Sequence, residues 1–141
     1  MPNTAPMVAP VIALVIWSGL IWAWMYATRI PAIIKMRMRL DPMMPRGEQM
    51  AQLPATVRWK ADNYNHLMEQ PTLFYAVALG LAVLGDHSTI SLALAWAYVA
   101  LRILHSLVQT TMNRITLRFA VFFVSSLVLF ALAIRAAMLA F

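Results

Sequence analysis

Four apolar runs, each near the roughly 20 residues an α-helix needs to cross a bilayer, constrain this 141-residue chain more than any other feature. They fall at about residues 8–28, 62–84, 90–112 and 116–139. Hydrophobic residues make up 62% of the sequence and charged residues 11%, far from the balance of a soluble domain. The bilayer offers no water to backbone N–H and C=O groups, so runs of this length are expected as helices, which satisfy those groups internally. The expected fold is all-α: one integral membrane domain over residues 1–141, a four-helix bundle. The first run reads as a retained helix and not a secretory signal. No basic residue precedes it, and its apolar part exceeds the about 7–15 residues of a signal core.

The formal net charge of +6 is a matter of topology and not of nucleic-acid binding. A nucleic-acid module needs a solvated basic face, whereas here the basic residues collect in the connections between apolar runs. Arg29, Lys35, Arg37, Arg39, Arg46, Arg58 and Lys60 follow the first run, and Arg114 and Arg118 join the third to the fourth. Cytoplasmic loops accumulate Lys and Arg. Loops 29–61 and 113–115 are therefore expected in the cytosol, with both termini on the exoplasmic side. "RIPAIIKMRMRL" is expected to carry the first helix on to about residue 40, and "DPMMPRGEQMAQLP" to be irregular. Arg135, near the end of the fourth run, is expected to snorkel to the interface.

The chain has no cysteine, which excludes disulfides, thiolate metal sites and a cysteine nucleophile. Glycine-rich phosphate loops and zinc-protease motifs are absent too, and no metal site is expected. What remains is a set of polar residues inside the spans, each costly unless it faces protein or water. In "ADNYNHLMEQPTLFY", Asp62, Asn65, His66 and Glu69 are expected on one helical face. In the third run Tyr98, Arg102, His105 and Gln109 form a matching stripe. At about 1.5 Å per residue Glu69 and Arg102 come to similar depth, so an ion pair is expected between them, ringed by Asn65, His66, His105 and Gln109. The cluster opens toward Arg37, Arg39, Arg114 and Arg118, a setting suited to an anionic, partly polar ligand. Polar glue between helices is the structural alternative. Haem ligation by His66 and His105 is a weaker one.

The pairing of "NYNHLMEQP" in the second run with "LRILHSLVQ" in the third resembles the MAPEG family, membrane-associated proteins in eicosanoid and glutathione metabolism. The chain looks like a bacterial-type member, related to microsomal glutathione transferases and prostaglandin E synthases. The resemblance implies a homotrimer with glutathione bound between subunits near the cytosolic face. It assigns ligand contacts to Arg37, Asn65 or His66, Glu69, Arg102, His105, Gln109 and Arg114, and thiolate stabilisation to Arg118. The implied function is a glutathione-dependent membrane transferase or peroxidase acting on a lipophilic small molecule from the bilayer. The alternative is a non-catalytic lipid-binding or structural protein of the same fold. Two positions depart from the family pattern: Gln109 and Phe122 stand where relatives often have tyrosine.

Overall fold

A computed structural model describes residues 6–141; the first five residues of the expected domain lie outside the described residues. The described chain is helical throughout, with α1 Val8–Lys35, α2 Arg46–Met50, α3 Ala55–Met68, α4 Pro71–Val83, α5 Thr89–Thr111 and α6 Ile115–Ala140. Three of these, α1, α5 and α6, are long and apolar enough to cross a membrane.

The first helix stops at Lys35, not near residue 40 as expected. Arg37 adopts a left-handed conformation, φ 50°. Its N–H bonds the Ile34 carbonyl and the Met38 N–H reaches back to Ile33. This pair of bonds is the Schellman closure, with arginine where glycine is usual. The loop expected to be irregular contains the short α2. Two polar contacts shape it: the Met43 N–H bonds Asp41 Oδ1 at 2.8 Å, and buried Gln49 donates to the Asp41 carbonyl at 2.9 Å.

The expected helix 62–84 is corrected most. It starts earlier, at Ala55, and is broken at Glu69 into α3 and α4. Pro71 has no N–H for the Leu67 carbonyl, and its ring crowds that carbonyl. The backbone escapes at Glu69, where ψ is −97°. Pro71 then serves as the first residue of α4, where a missing N–H costs nothing.

Packing follows a heptad-like spacing. Val11, Leu14, Ser18, Ile21 and Met25 line the inner face of α1. On α5 the buried stripe runs Ser91, Ala95, Tyr98, Arg102, His105, Gln109. Its first half is small or aromatic, and Tyr98 stacks on Phe74 of α4 at 4.6 Å between centroids. Its second half is polar. The core therefore gathers toward the Ser91 end, from Leu14, Leu67, Phe74, Leu81, Tyr98 and Leu132. Ile12, Ile16, Phe123 and Phe130 point outward, as a lipid-facing surface would have them.

The α4–α5 turn is tied to α6. Gly85 closes α4 at φ 72°, and Asp86 Oδ1 accepts from the Ser88 N–H at 2.8 Å. Arg135 does not snorkel away: its Nε donates to Ser91 Oγ at 2.7 Å and its Nη2 to Ser88 Oγ at 2.9 Å. Burial alone would raise the Asp86 carboxyl, but the Ser91 hydroxyl, the Ser88 N–H and the Arg135 charge outweigh it and hold the group below the ordinary carboxylate value. A lowered folded-state value means stability that is full above the unfolded value and lost as pH falls through the folded one. Arg135→Ala is expected to cost about 2 kcal/mol, the scale of hydrogen bonds to a charged group. Thermal unfolding in detergent measures it. Asp86→Asn should remove the acid-side loss of stability below about pH 4, and a variant as acid-sensitive as wild type would show that Asp86 is not the titrating group.

Candidate functional site

The polar half of α5 meets α3 where α3 ends. Gln109 Oε1 accepts from Asn63 Nδ2 at 3.0 Å, a buried tie between the two helices. Asn63 was not among the expected site residues, yet it is fully buried. The inward face of α3 runs through Lys60, Asn63 and Leu67, whereas Asp62, Asn65 and Glu69 are exposed. The polar face expected to look inward is thus turned outward, with His66 half-buried at its edge.

Arg102 has no exposed surface. The expected ion pair with Glu69 is replaced by a backbone bond: Arg102 Nη2 donates to the His66 carbonyl at 3.0 Å. That carbonyl is free to accept because the break at Glu69 leaves it only a long 3.4 Å bond from the Glu69 N–H. Arg102 Nε and Nη1 are buried without hydrogen-bonding partners. Leaving a buried donor unpaired costs on the order of 1–3 kcal/mol, more when it is charged. The guanidinium carbon also lies 6.0 Å from the Phe122 ring centroid.

Beside Arg102, a cavity of about 260 Å³ is lined by His66, His105, Ile115, Arg118, Phe119 and Phe122. The two imidazoles stand 5.9 Å apart. His105 Nδ1 is buried with no partner. Arg118 is oriented by Asn113, whose Oδ1 accepts from Nη1 at 2.7 Å. Asn113 holds a left-handed turn, φ 46°, a position that asparagine tolerates. One wall of the cavity is therefore cationic and hydrogen-bonding, and the other is apolar. Such a site can hold an anionic group against an apolar one. Among the described residues no cluster of three metal-ligating side chains occurs.

The other expected contacts fall elsewhere. Asn65 lines a separate cavity of about 470 Å³ together with Arg29, Arg46, Arg58 and Asp62. Arg37 and Arg114 are exposed and line neither cavity, and Gln109 is occupied by Asn63. Glu69 lies on the outside of the chain. The structure thus brings together His66, Arg102, His105 and Arg118, and separates Arg37, Asn65, Glu69 and Arg114 from them.

The MAPEG family model matches residues 7–138, nearly the whole chain. The chain belongs to the MAPEG family. This family of membrane proteins includes glutathione transferases and related enzymes. No curated protein and no solved structure matches the chain. In this MAPEG chain the match extends over all the helices that build the cavity.

The unpaired nitrogens of Arg102 separate a site role from a scaffolding role. Replacing a buried charge by an apolar side chain of similar volume is often neutral or stabilising. Arg102→Met is therefore expected to keep or raise the thermal midpoint in detergent. A fall of several degrees would make Arg102 structural glue.

Proposed function

We propose that this chain is a glutathione-dependent membrane transferase or peroxidase acting on lipophilic electrophiles, with glutathione as co-substrate. The observation that carries the reading is the cavity in which Arg118, His66 and His105 face Ile115, Phe119 and Phe122, with the buried cation Arg102 behind it, bonded to the His66 carbonyl and in contact with Phe122. The residues present fit a peptide anion. Arg118 supplies charge at the wall and Arg102 adds to it from behind His66, His66 and His105 supply hydrogen bonds, and Ile115, Phe119 and Phe122 supply an apolar wall for the second reactant.

Ligand pockets usually enclose about 300–1,000 Å³. The cavity of about 260 Å³ would hold only part of a tripeptide, so the reading completes it with a neighbouring copy in a homotrimer. The outward Asn65 and Glu69, and exposed Arg37 and Arg114, are then available to that neighbour. In this reading α3 and α4 together make the fourth crossing, despite their break. The basic loop 29–61 and turn 113–115 lie in the cytosol and both termini on the exoplasmic side.

The chemistry assigned to this chain is electrostatic. A free thiol ordinarily titrates near pH 8.5. Arg118, held by Asn113 at the cavity wall, places a fixed positive charge where the anionic sulfur would sit, favouring the nucleophilic form at neutral pH. Arginine keeps its proton there, which lysine in an apolar wall would not reliably do. The alternative, a non-catalytic lipid-binding member, draws support from two side chains. Gln109 is spent on Asn63, and Phe122 has no hydroxyl to offer a ligand.

Rapid mixing with glutathione distinguishes the two, since only the enzyme should develop thiolate absorbance. Arg118→Ala is expected to lower turnover on the order of 100-fold, the scale of one lost electrostatic contact. Glutathione affinity should fall much less. Activity in the variant should also need higher pH, because the thiol loses the charge that favours ionisation. An unshifted pH profile with full turnover would remove Arg118 from the mechanism.

A further inference from the structure

The cavity of about 470 Å³ is separate from the histidine pocket and shares no lining residue with it. Three arginines from three elements line it: Arg29 of α1, Arg46 of α2 and Arg58 of α3. A single carboxylate, Asp62, faces them there. Arg29 Nε is buried without a hydrogen-bonding partner. Self-repulsion among three guanidiniums is not relieved by one acid, so the cavity is short of negative charge and of acceptors.

A second cavity of about 280 Å³ adjoins the first, shares Tyr26, Arg29, Arg46 and Met50 with it, and adds Ile33 and Leu40. Ile33 lies one turn beyond Arg29 on α1 and Leu40 in the loop after it, so the second cavity extends the first away from the Val8 end of the helix. Its depth can be placed along α1, which begins at Val8. Arg29 lies roughly 30 Å further on, about the thickness of the hydrocarbon core. The arginines therefore sit at headgroup level on the side of the long loop.

We propose that these joined cavities bind an anionic phospholipid, with its phosphate among Arg29, Arg46 and Arg58 and an acyl chain running down α1 past Tyr26 and Met25, which line the first cavity on the hydrocarbon side of Arg29. Guanidinium forks match phosphate oxygens in geometry and charge. The surrounding bilayer supplies that group at this depth, attached to an apolar chain that points back toward the core. A zwitterionic headgroup would bring an ammonium toward the arginines and bind less well.

Native mass spectrometry of the purified full chain, offered phosphatidylglycerol or phosphatidylcholine with matched acyl chains, reads this site without glutathione. Wild type is expected to retain phosphatidylglycerol preferentially. Arg46→Gln combined with Arg58→Gln should reduce the preference about fivefold for each charge removed. Both side chains are exposed, so the fold does not depend on them, and lysine at both positions should restore most of the preference. Equal retention of the two lipids by wild type, or an undiminished preference in the glutamine variant, overturns the proposal. Glycerol phosphate tests a soluble source of the same group: binding of it with no lipid preference overturns the lipid assignment.

Discussion

The hydrogen bond from Arg102 to the His66 carbonyl depends on a proline at the start of the preceding helix, five residues from its acceptor. Pro71 cannot continue α3, and the backbone turns aside at Glu69. The turn opens the His66 carbonyl to a side chain, and Arg102 takes it. A neutral dipole thereby holds a buried cation in place without cancelling its charge. Had Glu69 reached Arg102, the ion pair would have been closed and the guanidinium spent. The bond that forms leaves the two remaining nitrogens available to something else.

The long apolar helices α1, α5 and α6 were legible in the sequence, because runs of apolar residues in a bilayer admit few structures, whereas the run expected as one helix over 62–84 is two helices and the loop before it holds a third. The site was legible only in part. Arg102, His105 and Arg118 were found because charged and imidazole groups in such runs are conspicuous. Their partners were not. Similar depth puts Glu69 and Arg102 on neighbouring helices, but depth does not fix azimuth, and Glu69 lies outward with Asp62 and Asn65 on the exposed face of α3. For the same reason Asn63 was passed over beside Asp62 and Asn65: neighbouring residues on a helix differ by about 100° in direction, so a small error of face exchanges inside for outside. Arg135 shows a different limit. Its serine partners lie 44 and 47 residues away, and nothing local announces them.

The distribution of polarity divides the molecule lengthwise. One end of α5 packs Ala95 and Tyr98 into the shared core, and the other presents Arg102, His105 and Gln109. Family membership accounts for the helical frame. The two cavities use that frame differently, one between α3, α5 and α6 and the other under the arch of α2. Both place arginine opposite apolar side chains, which is the arrangement an amphiphile or an anion with an oily reaction partner requires.

The Arg135 bonds have a mechanical side. They fasten α6 to the start of α5 and to the turn before it, so the two helices are pinned together at that end. At the other end the Asn113 turn links them, while the cavity wall around Arg118 has partly exposed side chains. The distance along α6 between Arg135 and Arg118 is roughly 25 Å. The α5–α6 pair is therefore clamped at both ends, by side-chain bonds at one and by the chain itself at the other, so the two helices that carry His105 and Arg118 hold their spacing without an ion pair between them.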